Sequence, residues 1–358
     1  MLSLPADRAR ALCLAVFEMV GLPVDRATLC ADCAMFATLR GLDTHGINMV
    51  IPNIAGRIHA GKMLPNAEIG VVRDTLTTAV LKGNGAPGPV VGVTAMDLAI
   101  AKAKAHGLGC VTAFNSHHFG ATSFYPVRAL PHGMFGLAMC NAGAVVAPFG
   151  GAKPVHGTNP LAYAVPAGEE GPIVLDIATS VVAHHQIYKA LRRGQPIPLG
   201  WALDSQGRPT TDPKAGGRGG VLLPFGGHKG YGIALLVDAL TGALAGSEVG
   251  QQVNQRETNP ETGGQSLFFL AIDVEAFVPL ATFTSRIDGL IREIHATPPA
   301  EGFAEVLVPG DLERRQEAKR TLEGVSLFEE DWQEIVEALA AAGLPADELA
   351  ARFAPDTA

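Results

Sequence analysis

Histidines and small polar residues recur in four short stretches of the chain. The first stretch, RGLDTHG at 40–46, places His45 between Thr44 and Gly46 at the end of a predicted helix. Because imidazole ordinarily titrates near neutral pH, a histidine in this position can transfer a proton during catalysis. The same position also suits a histidine that caps a helix at the surface, and this stretch by itself is compatible with both.

The second stretch, NSHHFG at 115–120, follows a predicted strand. Polar residues just beyond a strand are a common setting for a binding site. Neighbouring side chains on an extended segment point to opposite faces, so at most one of His117 and His118 can face a given pocket. Neither these histidines nor the pair His184–His185 has the spacing of a zinc site, which disfavours a metal-dependent hydrolase as the alternative class of enzyme.

The third and fourth stretches add a carboxylate and a lysine. GTNP at 157–160 is a predicted turn, and the strand PIVLDIATS carries Asp176 near its end. A carboxylate there can bind a ribose, an amide or a catalytic histidine, or it can cap a turn. In PFGGHKGYG at 224–232, glycines let the backbone approach a ligand, and Lys229 precedes a helix start that favours anions. A glycine-rich loop with a solvated lysine is the alternative interpretation.

A glycine motif of the dinucleotide-binding type, GNGAPG, occupies 83–88 between an apolar run and a helix-like run. A Rossmann unit also needs an acidic residue at the end of its second strand, to bind the ribose hydroxyls. Here the second strand ends in polar and histidine residues at 115–118, and Pro87 lacks an N–H for a phosphate. We therefore expect a glycine turn between a strand and a helix.

These stretches require a scaffold of mixed elements. Apolar residues at helical spacing predict two helices between residues 4 and 40, and short β-like runs dominate 72–180. A loop rich in Gly and Pro covers 194–230, and the near-apolar run GIALLVDALTGALAG after it predicts a helix buried on most faces. A polar loop at 247–264 precedes the strand-like LFFLAIDV. Further helical patterns lie at 92–105, 122–130, 280–293 and 311–352.

Composition narrows the class of protein. The net charge of -8 argues against nucleic acid as a partner, because phosphate recognition needs clustered Lys and Arg. No apolar segment is long enough to predict a membrane span, and Asp7, Arg8 and Arg10 interrupt any export signal. The cysteines are odd in number, and Cys30 and Cys33 lie in a helix-like context typical of buried thiols. We expect a cytoplasmic protein.

Taken together, the ordered motifs resemble the malate/L-lactate dehydrogenase family of non-Rossmann NAD(P)-dependent oxidoreductases. The resemblance runs nearly end to end and is carried by RGLDTHG, NSHHFGATSFY, APFGG, GTNPLAYAVP, LDIATS, IPLGWALDSQGRPTTDP, LLPFGGHKGYGIALLVDALTGALAG and PAEGFAEVLVPGDLE. It implies an α/β (α+β) fold in which a central mixed, largely antiparallel sheet domain, 73–304, is flanked by helices from both chain ends, 1–72 and 305–358. The sheet domain would include the loop and buried helix at 194–246.

The same resemblance implies a function. It points to reduction of a 2-oxo acid by NADH or NADPH, or to oxidation of the 2-hydroxy acid, with a histidine as proton donor. The alternative is reduction of a cyclic or N-alkyl 2-imino acid, for which a carboxylate that stabilises a positive nitrogen matters more. A ligand-binding descendant without activity is a third possibility. The family is typically dimeric, so the resemblance also implies a homodimer.

The resemblance assigns roles to individual positions, and the histidine spacings predict no metal site. His45, His118 and Asp176 match catalytic positions, and Thr44, His45 and Met49 match the substrate side. Met49 stands where the family usually has an arginine that binds the substrate carboxylate, and His185 replaces part of a frequent Gly-Lys pair. The positions that match the cofactor cleft are Ser116, His118, Gly120, Thr158, Asn159, Asp176, Thr179, Ser180, Lys229, Gly230 and Tyr231.

Overall fold

The computed structural model of the protein describes residues 2–217, 219–253 and 264–357. Its helices are α1 (Ala6–Met19), α2 (Val24–Leu39), α3 (Ile47–His59), α4 (Gly88–His106), α5 (His184–Arg192), α6 (Pro213–Gly217), α7 (His228–Asp238), α8 (Leu280–His295), α9 (Asp311–Glu323), α10 (Glu329–Ala341) and α11 (Ala346–Arg352). Its strands are β1 (Leu2–Leu4), β2 (Gly70–Asp74), β3 (Thr78–Lys82), β4 (Leu108–Ser116), β5 (Met134–Cys140), β6 (Leu161–Val165), β7 (Ile173–Ile177), β8 (Ala202–Leu203), β9 (Pro209–Thr210), β10 (Val221–Leu222), β11 (Gln265–Asp273), β12 (Val325–Leu327) and β13 (Asp356–Thr357).

A seven-stranded sheet in the order β2-β3-β4-β11-β5-β6-β7 forms the centre of the fold. Neighbouring strands pair antiparallel except β3 and β4, which run parallel and are joined by α4. A parallel pair needs such a crossover, because a tight turn can only reverse the chain. The expectation of a mixed, largely antiparallel sheet is confirmed.

Helices from both ends of the sequence pack together beside this sheet. One apolar cluster joins α1, α2 and α3 to α10 and α11, and includes Phe17, Ile51, Ile335 and Phe353. A small sheet in the order β12-β1-β13 joins the N-terminal and C-terminal segments through backbone hydrogen bonds. A separate cluster lies between α4 and the central sheet around Tyr125. From these two clusters we propose that the chain has two parts: residues 1–72 together with 305–358 form the helical part, and residues 73–304 form the sheet domain.

Several local predictions need correction. The helix predicted at 122–130 is instead two 3-10 helices, Thr122–Phe124 and Pro126–His132, because prolines interrupt the α-helical hydrogen bonds. The sequence patterns above predicted no helix at Ile47–His59, where the structure forms α3. The loop predicted at 194–230 holds the small sheet β10-β8-β9. The polar loop predicted at 247–264 falls largely on 254–263, outside the described residues.

The apolar helix predicted after the loop at 194–230 is α7, and other residues of the same chain cover only part of its surface. α7 continues as a π-helical turn, Ala239–Ala243, and buries Ala234 and Val237. On its other side, Leu235 is 44% exposed, Leu236 48% and Leu244 56%. An apolar pattern shows that a face avoids water but does not tell which chain covers it, so the prediction of burial on most faces is wrong for the single chain. Among the described residues, no helix combines the length and apolar character that a membrane span requires.

Candidate active site

A cleft of about 700 Å³ is lined by residues of both the helical part and the sheet. Thr44, His45 and Met49 come from the helical side, and His118 and Asp176 from the ends of strands in the central sheet. The structure therefore brings together the residues predicted as catalytic and those predicted on the substrate side.

His45 lies in a 3-10 turn, Asp43–His45, between α2 and α3. Two contacts hold this turn: the Ile47 N–H donates to Thr38 Oγ1 at 2.9 Å, and the Arg320 guanidinium of α9 binds the Asp43 carboxylate. Because Arg320 follows His45 by 275 residues, the position of His45 depends on helices from both ends of the sequence being packed together.

His118 follows β4, where Asn115 adopts a left-handed backbone with φ 56°. The glycine motif at 83–88 supports this segment: the Gly83 N–H donates to Phe114 O at 2.8 Å and the Gly85 N–H to Asn115 O at 3.0 Å. A side chain on Gly88 would overlap the backbone carbonyl oxygens of 117 and 118. The motif is thus a turn between β3 and α4 whose amides bind protein backbone, as the sequence predicted.

The rings of His45 and His118 stack with centroids 5.5 Å apart and planes inclined by 30°. Burial lowers the pKa of His45 to about 4, with His185 as a smaller cause. Burial also lowers the pKa of His118 to about 3, with smaller contributions from His45 and Arg57. Both rings are therefore neutral at pH 7, whereas the sequence suggested titration near neutrality, because enclosure penalises the charged form.

The hydrogen bonds of the two rings differ. The Gly120 N–H donates to His118 Nδ1 at 3.1 Å, which leaves the neutral ring with its proton on Nε2. His45 Nδ1 lies 2.8 Å from Thr44 Oγ1, and a hydroxyl can either donate or accept. His118 is therefore held as a hydrogen-bond donor through Nε2, while His45 can exchange tautomers.

Asp176 contributes a carboxylate to the lining of the cleft. Its carboxylate accepts from the Ser123 N–H at 2.8 Å and from Ser123 Oγ at 2.7 Å. Burial raises the pKa of Asp176 to about 6; the Ser123 hydrogen bonds oppose this shift and the Glu313 charge adds to it. Asp176 is thus a group lining the same cleft as the two histidines that changes charge close to neutral pH.

Two of the predicted cofactor residues also line the cleft, Thr158 and Ser180. The carbonyl of Thr158 accepts from both the N–H and the hydroxyl of Thr179, at 2.8 and 2.9 Å. Thr179 is itself fully buried. Its role in the structure is to fix the turn that carries Thr158.

The other predicted cofactor residues do not line this cavity. Ser116 and Asn159 are buried; Ser116 Oγ donates to a neighbouring carbonyl, and Asn159 joins the Ala142 N–H to the Ala234 carbonyl. Two are glycines in close packing: Gly120 lies against Cys33 and Gly230 against the backbone of 225. The remaining two are Lys229, which is exposed at the start of α7, and Tyr231, whose ring lies 5.6 Å from that of His156.

Sequence reasoning missed several residues of the cleft and of the protein interior. His184 and His185 begin α5 and line the cleft, although their adjacency had suggested only divergent directions. Ser123 binds Asp176 from 53 residues away, a contact that no spacing signals. The buried pair His156 Nδ1–Asp238 Oδ2, 2.7 Å apart, was also missed. Within the described ranges, no group of three or more His, Cys, Asp or Glu residues could hold a metal ion.

Known proteins resemble the chain over most of its length. The family model for malate/L-lactate dehydrogenase matches residues 4–336. The chain is 38% identical over 320 residues to the L-sulfolactate dehydrogenase of Methanocaldococcus jannaschii, covering 88% of this chain and 91% of that protein. It is 32% identical over 319 residues to the ureidoglycolate dehydrogenase (NAD(+)) of Escherichia coli K12, covering 88% and 90%.

Solved structures agree with these matches. The sulfolactate dehydrogenase of M. jannaschii superposes with a TM-score of 0.87 at 36% identity, over 97% of this chain and 99% of that one. The Δ1-piperideine-2-carboxylate reductase of Pseudomonas syringae pvar. tomato superposes with a TM-score of 0.81 at 27% identity, over 94% and 100%. The chain belongs to the malate/L-lactate dehydrogenase family of NAD(P)-dependent oxidoreductases.

Proposed function

We propose that the protein interconverts a small 2-hydroxy acid and its 2-oxo acid in the cleft that His45, His118 and Asp176 line. The observation that carries the proposal is the stacked histidine pair, in which one ring has a fixed tautomer and the other can exchange its proton. Such a pair supplies a hydrogen-bond donor and a proton-transfer group to the same oxygen.

The cleft fits a nicotinamide group. Its walls are apolar at Pro160, Ile177 and Val181, which suits a planar ring, while Thr158 and Ser180 place polar groups beside them. When bound, a nicotinamide dinucleotide supplies or accepts the hydride at C2 of the acid. NAD and NADP are both proposed cofactors, and the exposed Lys229 at the start of α7 is proposed to bind an anionic part of either.

We assign the proton steps as follows. His118 donates through Nε2 to the substrate oxygen and polarises it. In oxidation, neutral His45 takes the hydroxyl proton at Nε2 while its Nδ1–H donates to Thr44 Oγ1. In reduction the transfer runs from His45 Nε2 to the oxygen, and because the ring is neutral at rest, His45 must first receive a proton from another group. A neutral histidine that polarises a carbonyl is an established use of a lowered pKa.

The substrate carboxylate needs a partner, since no arginine or lysine of the described residues lines the cleft. Met49 occupies the helical wall, and His184 and His185 lie at the start of α5. We assign carboxylate binding to His185, the member of the pair close enough to His45 for a positive charge on it to lower the His45 pKa. A ring N–H can donate to a carboxylate whether or not the imidazole is charged.

Loss of absorbance of the reduced nicotinamide tests the proposal. Purified protein is supplied with NADH or NADPH and a pool of 2-oxo acids, first without and then with methylamine. Consumption without the amine supports a 2-oxo acid reductase. Consumption only with the amine supports the second candidate, an imine reductase, which Asp176 favours because its carboxylate can face a cationic nitrogen. No consumption in any arm, with cofactor bound, contradicts both and favours a ligand-binding descendant.

We also propose that the protein forms a homodimer and works in the cytoplasm. The exposed leucines of α7, Leu235 and Leu236, with Leu244 beyond them, form an apolar face that a second copy can bury. Light scattering of Leu236→Asp tests this, with Leu76→Asp as the control because Leu76 is 74% exposed on the β2–β3 turn. Dimeric Leu236→Asp would contradict this interface.

The free cysteines support the proposed location in the cytoplasm, because they fit a reducing compartment.

A further inference from the structure

A second cavity of about 270 Å³ lies behind the cleft, and Asp176 lines both. Leu42 also lines both cavities, and Ser123 lines the second. The far side of the second cavity is α9, which contributes Glu313, Arg314 and Glu317. Asp176 therefore has one face toward the proposed substrate and another toward α9.

The arginines and Glu317 around this cavity are ion-paired, Asp176 is hydrogen-bonded to Ser123, and Glu313 has neither kind of partner among the described residues. Arg40 Nε binds Glu317 Oε2 at 3.0 Å, and Arg314 binds Asp311 and the carbonyl of Pro172. Within the described part of the chain, the Glu313 side chain has no ion pair and no hydrogen bond. Glu313 is also partly exposed, so its carboxyl can exchange protons with solvent.

The proposed reaction requires a proton supply that the histidines do not hold. Reduction of a 2-oxo acid consumes one proton for each hydride, and oxidation releases one. The histidines are neutral at pH 7, so the proton must arrive from a neighbouring group after each turnover. Asp176 is the cleft group that can carry it, and a substrate in the cleft would separate Asp176 from solvent on that side.

We propose that Glu313 exchanges protons with Asp176 through the second cavity. Glu313 thereby replaces the proton that each reduction takes from the cleft and removes the proton that each oxidation releases there. In reduction, a proton leaves the Glu313 carboxyl, crosses the cavity by water and reaches the Asp176 carboxylate, which passes it within the cleft to His45; the Glu313 carboxylate then takes a proton from solvent. In oxidation the proton runs the other way. A volume of this size holds several waters. This inference rests on the proposed function of the cleft.

The test compares Glu313→Gln with Glu313→Asp and with Glu317→Gln, which removes the same charge from the same cavity wall. For Glu313→Gln we expect kcat to fall about tenfold with KM unchanged, less than the roughly 10²–10⁴-fold of a direct acid–base group. Formate or imidazole added as a small proton carrier should restore kcat. Glu313→Asp should keep most of the wild-type kcat, and Glu317→Gln should show no dependence on the carrier.

Two kinetic results would overturn the inference: an unchanged kcat in Glu313→Gln, or a loss that the carriers do not restore. A readout without turnover separates this failure from failure of the proposed function. The ¹³C resonance of the Asp176 carboxyl, followed against pH in the free protein, should show a lower pKa in Glu313→Gln than in wild type, because the Glu313 charge raises it. An unchanged Asp176 titration would contradict contact through the cavity, whatever the substrate is.

Discussion

His45 and His118 lie 5.5 Å apart, ring centre to ring centre, yet only His118 has a backbone donor on Nδ1. The pair is therefore asymmetric: His118 is fixed as a donor and His45 is free to exchange its proton with Thr44. Neither ring alone provides both functions.

The first prediction follows from this asymmetry. His45→Ala should lower kcat by roughly 10²–10⁴-fold, while His118→Gln should retain more activity because an amide N–H can still donate. Thr44→Val should lower kcat and Thr44→Ser should not. Steady-state kinetics with each variant measures this, and circular dichroism and cofactor fluorescence check folding and binding. Full activity in both histidine variants would contradict the assignments.

The second prediction concerns pH. Because the pKa of Asp176 is raised to about 6, its side chain is a carboxylic acid below and a carboxylate above that value. Reduction of a 2-oxo acid should therefore slow as pH rises through about 6. Reduction of an imine should accelerate over the same interval, since only the carboxylate stabilises a cationic nitrogen.

Profiles of kcat/KM from about pH 4 to about pH 8 give this measurement. Asp176→Asn serves as the control and should flatten whichever profile is found. A slope near pH 6 that persists in Asp176→Asn would assign the titration to another group.

The third prediction is a gain of stability. A carboxyl whose pKa is higher in the folded than in the unfolded protein favours folding at low pH, and this contribution is lost as pH rises through about 6. Asp176→Asn should therefore raise the free energy of unfolding at pH 8, by on the order of 1–3 kcal/mol. The gain should shrink toward pH 4. Urea unfolding at both pH values tests the sign, and a variant less stable than wild type at pH 8 would contradict it.

The fourth prediction tests the glycine turn. Gly88→Ala would push a methyl group into the carbonyl oxygens of 117 and 118, so it should cost about 1–3 kcal/mol and displace His118. Gly56→Ala is the matched control, because its Cβ in α3 meets open space and should stabilise the helix by about 0.5–1 kcal/mol. Thermal unfolding and kcat of both variants provide the comparison. Equal behaviour of the two would refute the packing argument.

The fifth prediction concerns the substrate carboxylate. His185→Gln should raise KM for a 2-oxo acid while leaving kcat nearly unchanged, since the residue binds a group remote from the reacting carbon. Met49→Arg should restore KM in the His185→Gln background, because a guanidinium binds carboxylates in a bidentate manner. His184→Gln is the control from the same helix turn. A KM unaffected by His185→Gln would place the carboxylate elsewhere.

Much of this architecture could be predicted because it is local. The helices α1, α2 and α4 and the strands β4, β5 and β11 follow from apolar spacing, and the His45 and His118 stretches follow from side-chain chemistry. Contacts between distant segments could not be predicted in this way. Ser123 reaches Asp176 only through the order and register of the central sheet, and the pKa values of the histidines depend on enclosure by both parts of the fold.

The small terminal sheet has a consequence for how the chain is made. Leu2 pairs with Leu327 and with Thr357, so β1 has no strand partner until those residues have left the ribosome. At about 5–20 residues per second, that delay is on the order of tens of seconds. During it, α1 and α2 lack the apolar faces of α10 and α11. Until α10 and α11 emerge, the nascent chain therefore exposes the apolar faces of α1 and α2 that those helices later cover.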